Sequence, residues 1–139
     1  MKSYFITGAS GFVGNRLVNA LYGDIRVLSR ISQANLDTVV CDFRTDSIPK
    51  DSLHGVDIVF HLAGVAHDTR DQTKAIDLYQ KVNVDATVEL ARLAIKSGVR
   101  KFIYISSVKA CGEEVLGRCG NEEDQSEPNS IYGKTKREA

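Results

Sequence analysis

The stretch Thr7-Gly8-Ala9-Ser10-Gly11-Phe12-Val13-Gly14 decides the fold. It follows the short apolar run Tyr4-Phe5-Ile6, which suits a buried strand. It opens onto Val13, Leu17, Val18 and Leu21, which recur at helical spacing until Gly23-Asp24 punctuates them. The stretch is therefore a turn between a strand and a helix. Glycines there allow a tight turn and close approach of the backbone, while the first turn of the helix offers unpaired N–H groups and a partial positive charge. Those are the features that bind a pyrophosphate, and the strand–turn–helix setting is what lifts the glycine spacing above a chance match.

Working outward, Ile25 to Ser29 reads as a second strand and Thr38 to Cys41 as a third, with a polar segment between them too poor in apolar periodicity for a helix. A turn of helix is expected at Ile48 to Leu53. Val56 to Leu62 forms a fourth strand whose nearly unbroken apolar centre predicts cover on both faces, as in a parallel sheet. From Lys74 to Lys96 the apolar positions Ile76, Tyr79, Val82, Val84, Val88, Leu90, Ala91, Leu93, Ala94 and Ile95 predict one well-buried helix, closed by Ser97-Gly98. Phe102 to Ser106 is the fifth strand, residues 113–127 form an acidic loop, and a last helix starts near Asn129 or Ser130. This alternation predicts an α/β fold: a right-handed, doubly wound parallel sheet with helices on both faces, three layers in all.

Composition narrows the function. The chain has 139 residues, of which 42% are hydrophobic and 26% charged, enough for one globular domain with an ordinary core. Eighteen basic residues balance 18 acidic ones, so the broad basic surface that nucleic-acid binding needs is missing, and no nucleic-acid partner is expected. No run reaches the roughly 20 apolar residues of a membrane span, and Met1 to Gly8 reads as a strand rather than a secretory signal, so the expected compartment is the cytoplasm. Cys41, Cys111 and Cys119 are odd in number and lack CxxC spacing, which fits reduced thiols and no metal site.

The residues Thr7 to Gly14 resemble the cofactor turn of the extended short-chain dehydrogenases/reductases, the family of nucleotide-sugar epimerases and dehydratases. The resemblance continues in order through Asp42-Phe43, His61-Leu62-Ala63-Gly64, Asn83-Val84-Asp85-Ala86-Thr87, Val99 to Phe102, Ser106-Ser107 and Tyr132-Gly133-Lys134-Thr135-Lys136. It implies a Rossmann-type sheet of strand order 3-2-1-4-5 and NAD or NADP as cofactor. Gly8, Ser10, Gly11, Phe12, Val13 and Gly14 would hold the pyrophosphate, Asp42 and Phe43 would meet the adenine, Leu62, Ala63 and Gly64 would line the cofactor, and Asn83 would support the active site. Taken alone, Asn83 equally suits a polar helix residue bonded only to backbone. At the end of the second strand an NAD site usually presents a carboxylate to the ribose 2′-hydroxyl; this chain has Ser29-Arg30, which leans toward NADP with both residues on the 2′-phosphate.

Tyr132 and Lys136, four apart, share one helix face. The resemblance makes Tyr132 the general acid/base, Lys136 a ligand of the nicotinamide ribose that favours the phenolate, and Ser107 the donor to the reacting oxygen, with Ser106 the alternative. Hydride would pass between a sugar carbon and the nicotinamide. Ser106 to Glu113, Ser-Ser-x-Lys-x-x-Gly-Glu, departs from the more common Val-Tyr-Gly pattern and resembles capsule and lipopolysaccharide enzymes that are 4-epimerases or 4-keto reductases of UDP-linked amino sugars. The expected substrate is thus a UDP-linked nucleotide sugar. Lys109 reads either as a substrate-side residue or as a solvated one, His67 either as facing the active site from the loop after the fourth strand or, more often for a lone loop histidine, as solvated, and His61 as structural. Relatives often pair long helices, which leaves a homodimer open. Residues 1–139 correspond to an incomplete NAD(P)-binding domain, with the C-terminal substrate region expected to be absent and the fifth strand left as an uncovered edge. A non-catalytic dinucleotide-binding fragment or sensor is the alternative reading.

Overall fold

Alternation along β1 (Ser3–Thr7) divides the core into two layers, because successive side chains of a strand point to opposite faces. Phe5 packs with Leu28, Val59, Val82, Ala86, Leu90 and Ala94, whereas Tyr4 and Ile6 pack with Val27, Leu17, Val18 and Leu21. Two helices therefore cover the two faces: α1 (Phe12–Ala20) on one, and the helical stretch that ends in α3 (Ala86–Lys96) on the other. The computed structural model describes residues 1–66, 72–112, 117–124 and 126–139, without the side chains of residues 72–74. His67 and Glu113 lie outside the described residues.

The sheet is parallel, with order β3 (Asp37–Val40), β2 (Asp24–Ser29), β1, β4 (Ile58–His61), β5 (Lys101–Tyr104). It is the order the resemblance implies. Strand order reverses between β1 and β4, and α/β sheets open a crevice at that point, outside the carboxyl ends of the strands. Register puts Thr7 beside His61 and His61 beside Tyr104, so three polar side chains line up across the carboxyl ends of β1, β4 and β5. Among the described residues, β5 is the outermost strand on its side.

Two expectations need correction. Ile48 to Leu53 carries no helix: Pro49 accepts from Ser52 N, and Asp51 and Leu53 accept from residues three ahead, so the segment closes as successive turns. The single helix from Lys74 to Lys96 is also interrupted. It runs as α2 (Gln72–Tyr79), a π-helical stretch Gln80–Asp85, and α3. At the end of that stretch the amide of Ala86 bonds Lys81 O, five residues back, and the hydroxyl of Thr87 donates to Asn83 O. Apolar periodicity cannot report one extra residue per turn. No helix among the described residues is long and apolar enough to cross a membrane.

Leu90 is fully buried between α3 and the sheet, but the expectation of burial fails for Ile76 and Ile95, which are 49% and 79% exposed, because they fall on the side of the helical stretch turned away from the sheet. Leu90→Ala is expected to lower unfolding free energy by about 2–5 kcal/mol. Ile95→Ala should change it by less than about 0.5 kcal/mol, with urea unfolding as the measurement.

Candidate functional site

Crowding at the glycine turn builds the first half of the site. Gly8 has φ of 74°, and a Cβ there would come within 2.8 Å of Ala63 N and 3.0 Å of Leu62 C. A Cβ on Gly14 would overlap Gly8 O. The turn thus lies directly against the segment after β4, and α1 starts beside it. Gly11 caps α1 without a side-chain bond, so the amides of the first helical turn keep their donor capacity for an anion.

Beside this turn lies a cleft of about 350 Å³ that brings together ten of the residues expected to hold a cofactor: Gly8, Ser10, Gly11, Ser29, Arg30, Asp42, Phe43, Leu62, Ala63 and Gly64. Leu28, Cys41, Arg44, Val65 and Val82 complete its lining and were not legible as site residues, since nothing in their spacing distinguishes them from core or loop. Phe12 and Val13 are exposed at the start of α1, and Gly14 is buried against the turn; none of the three lines the cleft, nor do Asn83, Tyr132 or Lys136.

The far end of the cleft is charged. Arg44 Nε donates to both Asp42 oxygens, at 2.9 and 3.0 Å, and holds the carboxyl at about 2, with the charge of Arg30 a smaller influence in the same direction. Asp42 is therefore a permanent anion already paired with a cation, and Arg30 and Arg44 both line the cleft beside Ser29. Cys41 is buried beneath them, and burial, followed by the nearby acids, pushes its thiol up to about 11, which leaves it unreactive at neutral pH.

Behind the cleft runs a chain of buried polar contacts. Thr7 Oγ1 lies 2.6 Å from His61 Nδ1 and accepts the Ala63 amide at 3.1 Å; His61 Nε2 lies 2.8 Å from Thr87 Oγ1, which donates to Asn83 O at 2.7 Å. The Asn83 amide clamps Val65, accepting from its N–H at 2.8 Å and donating to its carbonyl at 3.0 Å, and also donates to Thr135 Oγ1 at 3.1 Å. Asn83 is therefore more than a helix residue bonded to its own backbone: it ties the segment after β4 to the last helix, α4 (Ile131–Glu138).

That helix carries Tyr132 and Lys136. Ser130 caps it by accepting from Gly133 N at 3.0 Å. Lys136 is buried; its Nζ donates to Ile105 O at 2.6 Å and sits 4.1 Å from the centroid of the Tyr104 ring. Burial lowers its pKa to about 8, so the ammonium is still the main form at neutral pH. Ser107, half-buried just after β5, caps a single 3₁₀ turn, Val108–Cys111, by accepting from Lys109 N at 3.2 Å, a bond that leaves its own proton unspent. Gly133 allows α4 to press on this turn, because a Cβ there would collide with Lys109 O. The Lys109 side chain is exposed. Ser107, Tyr132 and Lys136 thus sit on two elements packed together at the carboxyl end of β5, and Ser106 is the more exposed of the serine pair.

A family profile for the NAD dependent epimerase/dehydratase family matches residues 4–139. The chain belongs to that family. It is 39% identical over 147 aligned positions to a UDP-glucose 4-epimerase of Vibrio cholerae, covering 99% of this chain and 45% of that protein. It is 32% identical to an N-acetyl-alpha-D-glucosaminyl-diphospho-ditrans,octacis-undecaprenol 4-epimerase of Escherichia coli O157:H7, covering 96% and 40%. Among solved structures it is similar to MoeE5 in complex with UDP-glucose and NAD, with TM-score 0.84, 28% identity, and 98% and 46% of the two chains covered. A short-chain dehydrogenase/reductase superfamily protein from Agrobacterium tumefaciens with bound NAD gives TM-score 0.83 at 28% identity, over 98% and 42%. The chain spans less than half the length of these relatives. Among the described residues no group of three or more His, Cys, Asp or Glu could hold a metal ion.

His61 gives this family member a pH dependence of its own. Burial, and then the Lys136 charge, lower the imidazole from 6.5 to about 4. Between those values the unfolded chain binds a proton that the folded chain refuses. Stability therefore falls as pH drops through that window, by on the order of 3 kcal/mol at its foot. Comparing urea midpoints near neutral pH and near the foot of the window should show a smaller loss for His61→Gln than for the wild type; equal losses would remove His61 as the cause.

Proposed function

We propose that this chain carries the cofactor site and the Ser/Tyr/Lys triad of an NAD(P)-dependent epimerase or oxidoreductase acting on a nucleotide sugar, with a UDP-linked substrate. The observation that carries the reading is the bond from Lys136 Nζ to Ile105 O, which brings the ammonium to the end of β5, two residues before Ser107, with Tyr132 one helical turn away on α4. The names of a UDP-glucose 4-epimerase and of a protein bound to UDP-glucose and NAD support the UDP-linked class, whereas the undecaprenol-linked epimerase supports only epimerisation at a sugar carried on a diphosphate.

The cleft fits a dinucleotide on its own evidence. Bare glycines and first-turn amides suit a pyrophosphate, and the cationic end at Arg30 and Arg44 suits a 2′-phosphate, with Ser29 a further donor. Gly8, Ser10, Gly11 and the amides of Phe12, Val13 and Gly14 would hold the pyrophosphate, Asp42 and Phe43 the adenosine end, and Leu62, Ala63 and Gly64 the inner wall. When bound, NAD(P) supplies the hydride acceptor and donor. The protein's part is proton handling and alignment. Ser107 donates its unspent hydroxyl proton to the reacting sugar oxygen, Tyr132 exchanges a proton with that oxygen, and the Lys136 ammonium keeps positive charge on the face it shares with Tyr132.

Tyr132→Phe is expected to lower kcat for a UDP-sugar by at least about 100-fold while the cofactor dissociation constant stays nearly unchanged. Net oxidation of NAD(P)H separates a reductase from an epimerase, which returns its hydride. A second reading, a dinucleotide-binding unit without turnover, is favoured by a cleft that none of Ser107, Tyr132 and Lys136 lines; it predicts cofactor binding with no activity for Tyr132→Phe to remove.

For the cofactor, the expected order is tighter binding of NADPH than NADH by at least about tenfold, erased by Arg30→Ala. Fluorescence titration measures both, and a preference for NADH would overturn the assignment of Arg30.

A further inference from the structure

We infer that His61 is a positioning residue: as the neutral, Nε2-protonated tautomer it fixes the helix bearing Tyr132 and Lys136 relative to the glycine turn after β1. The consequence for turnover rests on the proposed roles of Tyr132 and Lys136; the structural part does not.

Proton counting leaves one arrangement. The Thr87 hydroxyl has a single proton, and it goes to Asn83 O at 2.7 Å. In its 2.8 Å contact with His61, Thr87 Oγ1 must therefore accept, which puts a proton on Nε2. Nδ1 is then a bare lone pair and takes the Thr7 hydroxyl proton across 2.6 Å, while Thr7 Oγ1 accepts the Ala63 amide. Every donor points the same way, from the wall of the cleft at Ala63 through Thr7, His61 and Thr87 to Asn83. An imidazolium would break the order, because Nδ1–H would then donate to Thr7 Oγ1 and take away the lone pair that accepts the buried Thr7 hydroxyl proton. It would also put a second buried charge near Lys136, whose own charge already disfavours it.

The chain does not stop at Asn83. Its backbone oxygen is held by Thr87, and its side-chain amide spans Val65 and Thr135. Thr135 precedes Lys136 and hydrogen-bonds Ile131 O and Tyr132 O, at 3.0 and 3.1 Å, so the amide grips the helix at the turn that holds the candidate catalytic pair. A second path runs in parallel. The His61 ring stacks on Tyr104 with centroids 5.7 Å apart, and Lys136 Nζ lies over that same Tyr104 ring. An apolar side chain would fill the volume of His61 but would orphan the Thr7 proton and an acceptor site of Thr87, both buried. The imidazole meets both needs at once, and so does a glutamine amide, which carries one acceptor and a pair of donor protons on its nitrogen.

The test uses the full chain and three readouts. Long-range ¹H–¹⁵N spectra at neutral pH should show His61 with Nε2 protonated and Nδ1 bare; the other tautomer or an imidazolium overturns the inference. In His61→Phe, amides of Gly133 to Lys136 should exchange at least about tenfold faster relative to those of Phe5 and Ile6 in β1, and His61→Gln should restore them. No change, or equal acceleration in β1 and α4, overturns it. If His61→Phe does not fold, the near-isosteric Thr87→Val removes the same link and is read the same way. In turnover, His61→Phe should lower kcat tenfold or more, toward the roughly 100-fold that a misplacement of 1 Å costs, with the cofactor dissociation constant held and His61→Gln close to wild type. An unchanged kcat overturns the positioning role. Absence of turnover in the wild-type chain counts against the proposed function instead, and the tautomer and exchange readouts still decide this inference.

Discussion

Where Gly8 and Gly14 lie there is no room for a side chain, and the organisation of the site follows from that shortage. With Gly8 against the backbone of Leu62 and Ala63, and Gly14 against Gly8 O, the end of β1, the segment after β4 and the first turn of α1 converge within a few ångströms. One consequence faces outward: a cleft whose inner wall is backbone and whose donors are amides, suited to phosphate. The other faces inward. Thr7, the last residue of β1, is brought against both the Ala63 amide and the His61 ring.

Polar groups enclosed at that depth must be paired, since an unpaired one costs about 1–3 kcal/mol. Pairing in this molecule takes the form of a directed series that begins at the cofactor-side backbone and ends on α4. The interrupted helix behind the sheet is part of it. Thr87 spends its hydroxyl on Asn83 O within the helical stretch, and the shift into π-helical pitch over Gln80–Asp85 accompanies an Asn83 side chain that reaches away from its own helix to Val65 and Thr135. Gly133 serves the same end from the other side, by letting α4 press on the turn that Ser107 caps. Among the described residues, the buried Tyr104 hydroxyl stands outside the series, with no hydrogen-bond partner.

Much of this was legible from residue order. The strands, their parallel pairing and the glycine turn follow from apolar runs, helical spacing and punctuation, because burial on two faces leaves a pattern in the chain. The resemblance to a family then named Asp42, Ser107, Tyr132 and Lys136 as candidates, and ten expected cofactor residues do line one cleft. Arg44 was not legible: its partnership with Asp42 lies two residues away in a loop, where no periodicity marks it. Thr135 and Thr87 were not legible either. Each looks like an ordinary helix residue until its partner, 52 or 26 positions distant, is brought beside it.

Residue order alone fixed the layers and the turn that can receive a phosphate, since these depend on local spacing and on which faces must be apolar, whereas the strand order came only through the family resemblance. Tertiary structure alone decided which protons go where. His61 could be recognised as structural from its strand, but its tautomer depends on a threonine from β1 and another from α3 arriving at opposite edges of the ring. The charge state of Lys136 likewise depends on burial against Tyr104 and Ile105, from a strand more than 30 residues upstream. Hydrogen bonding and desolvation are properties of assembled neighbours, and the chain brings those neighbours together only by folding.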